Sequence, residues 1–446
     1  MERHIKIAVS TALQDAGEAT RSLEIAKGIR ERAPKGYTPE ICFFSHGSKF
    51  EKNVTESGFE IEGVSPVLDG VGFINDLKPS KGNFVGSESL AVEMLKGEIE
   101  TLEKVRPDII LHGFWPFAGI ARRMVSPVIP SICFLPIPLT PSLYNSYLMK
   151  DVPDQLVPLT YLPEKLRRRL IKAAPPSLSS KAPILKQTNL LNAAKLCGWE
   201  DNTLNNLFDM LRSDFTVIND LPEFYDGVPM PLGFILTGPL YAPPEQGDVD
   251  PEILKVFEKT EDGQVNIFCS MGSSGRKEML IEAVKAIADL PDRFHALILA
   301  PKAVCDIKTI ESLVSGKDNI NITDRFVPAK TVNAMADIAV IHGGQGTVQT
   351  ALVSGTPVVG VAMQPEQQIN LDHIVLSGAG IRIPAPRWNK KNITKSVKKI
   401  AYDDSYKKSA KRIGGLMEAV DGKIQTADAV WNFLVSRIQR GLHARK

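Results

Sequence analysis

The chain has 446 residues, of which 43% are hydrophobic and 23% charged, with a formal net charge of +2. That length supports two or three domains with sizeable cores, and the small net charge argues against nucleic acid as a main partner, which calls for a larger basic footprint. Cys42, Cys133, Cys197, Cys269 and Cys305 are scattered singly with no CxxC pair, and three lie in apolar runs ("ICFF", "SICFL", "IFCS") where a reduced, buried thiol is expected, as in the cytoplasm.

The N-terminus, "MERHIKIAVS", runs straight into a strand-like stretch with no h-region and no cleavage site. No segment approaches the roughly 18 uninterrupted apolar residues of a spanning helix. Short apolar runs then alternate with longer amphipathic ones, the pattern of βαβ units around a parallel sheet. "IKIAVS" (5–10) precedes "EATRSLEIAKGIRER" (18–32), whose Leu23, Ile25, Ala26 and Ile29 form a helical stripe. "EICFFS" (40–45) predicts the next strand, "SLAVEMLKGEIETLEKV" (89–105) a helix, and "DIILHG" (108–113), "PSICFL" (130–135) and "DFTVIN" (214–219) further strands. Residues 136 to 213 form a long, proline-rich, irregular segment of the kind that is usually functional or disordered.

"GPLYAPPEQGDVDP" (238–251) predicts a linker, rich in Pro, Gly and acids. The pattern then restarts. "VNIFCSMGSSG" (265–275) predicts a strand entering a small-residue loop, and "RKEMLIEAVKAIADL" the helix after it. "FHALILA" (294–300), "DIAVIHGG" (337–344), "TPVVGVA" (356–362) and "GIRI" (380–383) predict strands separated by helices. The expected fold class is therefore α/β, with two doubly wound Rossmann-like domains. Residues 1–237 form the first, 238–251 the linker and 252–425 the second. Residues 426–446 are a C-terminal helix expected to pack back on the first, with Trp431, Phe433 and Leu434 as its apolar contacts.

In open α/β sheets ligands bind beyond the carboxyl ends of the strands. "HGGQGT" lies at such an end and opens a helix, so its glycines let the backbone turn and the helix N-terminus offers N–H groups to an anion. His342 adds a donor and Thr347 a hydroxyl, and a phosphate or diphosphate is the natural guest. "SMGSSG" (270–275) is a second such loop. "PEQQIN" (365–370) is a third, where the carboxylate of Glu366 and the amide of Gln367 suit vicinal sugar hydroxyls, although an acid in a first helical turn also has a purely structural use. "RFVPA" (325–329) supplies Phe326 for stacking on a base and Val327, whose backbone faces the base edge.

The run "FVPAKTVNAMADIAVIHGGQGTVQTALVSGTPVVGVAMQPEQQINLDHIVLSGAGIRI" resembles the donor-binding half of nucleotide-sugar-dependent glycosyltransferases of the GT-B fold, the UDP-glycosyltransferase superfamily (family GT1, with the related MurG-like enzymes). Their pattern is close to W-V/A-P-Q, H-G-G-x-G-T-x-x-E-A-L, G-x-P-x-V and D-Q-x-x-N-A. The likeness is strong over about 214 to 383 and patchy before that. It implies two domains facing each other across a cleft, the first holding the acceptor and the second the donor. By the resemblance His342, Gly343, Gly344, Gly346 and Thr347 hold the donor diphosphate, and Ser273 and Ser274 lie near the phosphates or ribose. Phe326 stacks on the base, Val327 pairs with it, and Glu366 and Gln367 bind the sugar. Three departures are visible. Phe326 replaces a tryptophan, Glu366 replaces an aspartate, and Thr350 stands where the family's ribose-binding glutamate falls, with Gln349 beside it as a substitute.

Inverting members use a histidine after the first strand as base, oriented by an aspartate. Here Glu18 occupies the histidine's place, with Asp15 as a neighbour, and His112 or Gly113 falls where the aspartate should be. A carboxylate there can accept an acceptor's proton if burial raises its pKa. The alternative for Glu18 is an acid in the first turn of a helix, favoured by the dipole. For His112 the alternative is a satisfied histidine at a strand end. No metal or cofactor is implied. The leaving diphosphate's charge falls to helix and imidazole donors.

The expected activity is transfer of a sugar from a nucleoside-diphosphate sugar, UDP-sugar first, to a hydroxyl of a lipophilic small molecule or lipid, with inversion. "FLPIPLTPSLYNSYL" favours such a lipophilic acceptor. "LPEKLRRRLIKAA" is basic and amphipathic, which suits either a solvated helix face or peripheral contact with an anionic membrane through residues 163–172. Two alternatives share the scaffold: a nucleotide-sugar 2-epimerase, and a catalytically degenerate nucleotide-sugar-binding protein.

Overall fold

The computed structural model describes residues 2–174, 183–241, 251–258, 263–272, 275–325 and 327–443. The chain forms two units. One comprises residues 1–147, 175–240 and 421–446, the other residues 148–174 and 241–420.

The strands of the first unit are β1 (Arg3–Ser10), β2 (Tyr37–Ser45), β3 (Glu60–Gly63), β4 (Ile109–His112), β5 (Ser131–Leu135), β6 (Phe215–Ile218) and β7 (Phe234–Leu236). Those of the second are β8 (Val265–Ser270), β9 (Phe294–Leu299), β10 (Ile320–Thr323), β11 (Ile338–His342), β12 (Val358–Val361) and β13 (Gly380–Arg382). The helices that bear on the sites are, in chain order, α1 (Ala16–Glu31), α2 (Glu88–Val105), α3 (Pro116–Met124), α4 (Glu164–Ala173) and α5 (Lys277–Ala288). After them come α6 (Gln345–Val353), α7 (Pro365–Leu376) and α8 (Gly422–His443).

The first sheet has the order β3-β2-β1-β4-β5-β6-β7 and the second β10-β9-β8-β11-β12-β13. Every pairing within them is parallel. In each sheet the strand order reverses beside the first strand, between β1 and β4 and between β8 and β11, the switch points where a doubly wound sheet opens for a ligand. Both faces of each sheet are covered, so the central strands are apolar throughout rather than alternating. In β8, Ile267 and Cys269 enter one core with α5, while Phe268, between them, enters the core on the opposite face with Leu297, Val327 and Val332.

In the first unit Ile7 and Val9 of β1, Leu111 of β4 and Phe134 of β5 pack with Leu23, Ile25 and Ile29 of α1. The same core receives Val430, Trp431 and Leu434 of α8, and Phe433 stacks on Phe215 at 5.1 Å. The Trp431 indole N–H donates to the Ile29 carbonyl at 2.9 Å.

Residues 148–174 depart from the domain division expected from sequence, which leaves them in the N-terminal half; they are part of the second unit. The cause is a buried charge network. Arg382, at the end of β13, donates to Asp151, to Asp154 at 2.8 Å and to Asp372 of α7 at 3.0 Å. Arg167 of α4 adds Nη2 and Nε bonds to Asp151 at 2.7 and 2.9 Å. Gln368 of α7 donates to the carbonyls of Asp151 and Val152 at 3.2 and 3.1 Å and accepts from the Asp154 N–H at 3.3 Å. Burial alone would raise the Asp151 carboxyl, but the Arg167 hydrogen bonds and both arginine charges hold it below the usual carboxylate range. Asp372 goes the other way, to about 6, because burial outweighs Arg382. Arg382 meets only one of its oxygens, and the other, Oδ2, has no partner among the described residues.

Deleting one member of a buried ionic cluster strands the others. Arg382→Gln is therefore expected to lower the unfolding free energy by about 3–5 kcal/mol, read from urea denaturation. Because Asp151 titrates low, its share of the stabilisation is in place above the ordinary carboxylate pKa and is lost only as pH falls through its depressed one. A wild-type–variant difference that vanished already at neutral pH would contradict this.

Candidate functional site

The second unit places His342 at the carboxyl end of β11 and Gly344 as the N-cap of α6. The imidazole lies between two glycine backbones. A Cβ added to Gly272, in the loop after β8, would sit 2.3 Å from His342 Cε1, and one added to Gly344 would sit 2.4 Å from Nε2. Gly272 also has a left-handed φ of +65°, so that turn requires glycine twice over. Burial pushes the His342 pKa down to about 4, which keeps the ring neutral at physiological pH, and its buried Nδ1 has no hydrogen-bond partner among the described residues. A buried, unpaired ring nitrogen at the mouth of a parallel sheet is an anomaly that a ligand would resolve.

Beside it the first ladder bond of α6 runs from the Val348 N–H to the Gly344 carbonyl at 2.9 Å. The N–H groups of Gln345, Gly346 and Thr347 therefore precede the helix's own ladder and carry its positive end. Gly346 is exposed with open space where a Cβ would stand, so an anion can approach the backbone there. Thr347 is half-buried on the same turn. Gly343 abuts the start of α7, where a Cβ would lie 2.3 Å from the Gln367 carbonyl oxygen.

On α7, Asn370 donates to the Gly343 carbonyl at 2.9 Å and also to Glu366. That single amide fastens the α7 carboxylate to the β11–α6 turn. Sequence reading missed Asn370, although its spacing of four from Glu366 puts both on one helical face. Glu366 is half-buried. The Gln367 side chain is buried, and its Oε1 accepts from the Met363 N–H at 2.9 Å, leaving the NH2 end for a ligand. Val327 is a core side chain, 3% exposed. The Thr350 hydroxyl bonds back to the Gly346 and Thr347 carbonyls at 2.9 and 3.0 Å, and Gln349 is buried on the same helix. Ser273, Ser274 and Phe326 lie outside the described residues.

The first unit positions the three residues considered for proton transfer quite differently. Asp15 is the N-cap of α1, with Oδ1 accepting from the Gly17 and Glu18 N–H groups at 2.9 and 3.1 Å. Its carboxylate is thereby committed to the helix. Glu18 is buried at the carboxyl ends of β1 and β4. It accepts from the Thr11 hydroxyl at 2.8 Å, from the Phe114 N–H at 3.1 Å and from Arg21. Burial raises its pKa and outweighs the opposing charge of Arg21. A Cβ on Gly113 would stand 1.8 Å from Glu18 Oε2, so the carboxylate occupies room that only a glycine leaves.

His112 does not orient Glu18. Successive strand residues face opposite sides. Leu111 enters the core shared with α1, whereas the His112 ring lies toward α3, 3.6 Å from the Cβ position of Gly119. Burial and the charges of Arg122 and Arg123 lower its pKa to about 3. The partners that sequence reading missed are Arg21, three residues on from Glu18, and Thr11. A second buried carboxylate, Glu98 of α2, accepts from Ser10 and from the Trp115 indole, each at 2.8 Å.

Comparison with known proteins agrees with this architecture. Residues 302–421, which carry the β11–α6 and β12–α7 turns, match the family described as erythromycin biosynthesis protein CIII-like, C-terminal domain. A rhamnosyltransferase of PGL/p-HBAD biosynthesis from Mycobacterium bovis is 24% identical over 345 residues, covering 75% of this chain and 69% of its own. The protein is a glycosyltransferase of the GT-B fold. A 4'-demethylrebeccamycin synthase from Lentzea aerocolonigenes is 23% identical over 224 residues, 50% of each chain. Among solved structures, the glycosyltransferase of kitacinnamycin superposes with a TM-score of 0.62 at 22% identity, over 96% of this chain and 99% of its own. A spinosyn rhamnosyltransferase complexed with thymidine diphosphate gives 0.59 at 15% identity, over 96% and 100%.

His342→Ala and Gly344→Ala, the second by displacing the ring sterically, are each expected to slow glycosyl transfer on the order of 100-fold, the scale of losing one charge-stabilising donor. Near-normal rates in both, measured at saturating donor, would remove the β11–α6 turn from the site. Gly113→Ala should abolish transfer while leaving the melting shift induced by nucleotide intact, because its Cβ strikes Glu18, Phe134 and Thr11, all in the first unit, and leaves the β11–α6 turn untouched.

Proposed function

We propose that this glycosyltransferase moves a sugar from a nucleoside-diphosphate sugar, UDP-sugar first, to a hydroxyl of a lipophilic small molecule or lipid, with inversion and without a metal. The neutral, unpaired imidazole of His342 beside the N-terminus of α6 carries the reading. It offers a hydrogen-bond donor and a helix dipole to one diphosphate, and both strengthen their hold as the leaving group gains charge. Glu366, fixed by Asn370, and the NH2 of Gln367 take the sugar hydroxyls. The thymidine diphosphate in the spinosyn rhamnosyltransferase supports a nucleoside diphosphate as the leaving group. The activities of the curated relatives support transfer over the epimerase alternative.

Glu18 serves as the base in this reading. Its carboxylate accepts the acceptor's hydroxyl proton, the oxygen forms a bond to the anomeric carbon from the face opposite the leaving group, and the carbon–diphosphate bond breaks with its electrons going to the diphosphate. A carboxyl whose pKa is raised by burial is a stronger base than an ordinary one once ionised. The lipophilic acceptor also favours a membrane surface as its source, reached through residues 163–172 on the cytoplasmic side.

Glu18 acts only when deprotonated, so transfer should rise with pH through a pKa above the usual carboxylate value. Glu18→Gln should flatten that limb and lower turnover, with donor binding unchanged. An unaltered pH profile would take Glu18 out of the mechanism. Donor class is read from the rise in Tm with UDP, dTDP, GDP and their sugar conjugates, since a ligand of the folded state stabilises it once its concentration exceeds Kd. A nucleotide-selective rise is the expected result. A selective rise with no transfer to any acceptor would favour the degenerate binding protein.

A further inference from the structure

Helix α4 is inside out. A surface helix normally buries its apolar stripe and exposes its charges. Here the residue most deeply buried is Arg167, 5% exposed and locked to Asp151, whereas Leu166 and Leu170 are 42% and 40% exposed. A spacing of four sets the two leucines one above the other on the outward side. Lys165, Arg169 and Lys172 are exposed on the same helix. The only acid between residues 155 and 174 is Glu164, against five basic residues, and it is already paired with Arg168 at 2.9 Å.

The segment leading into α4 continues the pattern. Leu156, Val157 and Tyr161 are 48%, 45% and 62% exposed, while the Tyr161 hydroxyl is tied to the Pro386 carbonyl at 3.3 Å. The leucines cannot turn inward. The four hydrogen bonds that Arg167 gives to Asp151 and the Leu162 carbonyl, together with the Arg382 cluster, fix which face of α4 points in.

We propose that α4 and residues 156–161 form a docking face for an anionic lipid bilayer, with Leu156, Val157, Tyr161, Leu166 and Leu170 entering the headgroup boundary and Lys165, Arg169 and Lys172 meeting lipid phosphates. Exposed apolar side chains interleaved with cations on one short amphipathic helix suit an interface-lying helix, whose hold combines apolar burial with attraction to anionic headgroups. No helix among the described residues is long and apolar enough to cross a membrane. The inference rests on the membrane contact of the proposed function and is independent of the donor site.

The test is co-sedimentation of the full chain with vesicles of phosphatidylcholine alone or mixed with phosphatidylglycerol, at low and high salt, with the UDP- or dTDP-induced rise in Tm read on the same samples. Binding is expected to the mixed vesicles at low salt and to weaken with salt. Leu166→Ser/Leu170→Ser should lower it severalfold, and Lys165→Gln/Arg169→Gln/Lys172→Gln on the order of 100-fold. All five positions are exposed, so both variants should keep the wild-type Tm. Wild-type protein left in the supernatant with mixed vesicles at low salt overturns the proposal, even where the nucleotide-induced rise confirms the donor site. Binding that needs the cations but not the leucines also overturns it, in favour of purely electrostatic adsorption without insertion.

Discussion

A strand that runs parallel to its neighbour must be reached by a crossover from the far end of the sheet. Every strand in both sheets obeys this constraint, so each core strand ends at the same edge in a turn that starts a helix. The candidate site residues sit at or just beyond those strand ends. Gly113 follows β4 and Gly272 follows β8, His342 ends β11, and Glu18 and Glu366 stand in the first turns of the helices after β1 and β12. Each turn must satisfy a helix N-terminus and make room for a side chain from the next turn, which is why glycines recur beside the reactive groups.

That crowding also sets the chemistry. The space vacated by Gly272 and Gly344 is filled by an imidazole, and the dry surroundings keep it uncharged. The space vacated by Gly113 is filled by a carboxylate, and the same dryness makes it harder to ionise despite Arg21. In one unit burial leaves an uncharged imidazole and in the other a carboxyl that is harder to ionise. Neither outcome needs an unusual residue type. Both need a glycine at the right place on an adjacent turn.

Much of this was legible in the sequence, and the limits have physical causes. The central strands announce themselves because burial on both faces forces continuous apolar runs such as "IFC" and "IAVI". β3, β7 and β10 went unseen: they stand toward the sheet edges, are three or four residues long, and carry partly exposed side chains with no such run. The positions of His342 at a strand end and of Glu366 in the first turn of the next helix were legible from the strand–turn–helix pattern. The Arg21 pairing and the Asn370 brace were in principle available from helical spacing. For His112 the sequence left two readings, a partner of Glu18 or a histidine held at a strand end, and alternation along β4 sends it to the opposite face from Glu18. The charge network was not legible at all. Asp151 and Arg382 are 231 residues apart, and a buried arginine leaves no mark that separates it from a solvated one.

The placement of residues 148–174 makes the second unit discontinuous in the chain. A fragment beginning at residue 241 would contain Arg382 and Asp372 but neither Asp151 nor Asp154. It would have to hold a guanidinium in a low-dielectric interior with a single carboxylate for company. Chimaeras that exchange donor halves between related enzymes at the 238–251 junction inherit the same defect. A module for recombination has to carry this internal strap with it, so an exchange of the second unit that keeps the Arg382 cluster whole must bring residues 148–174 along.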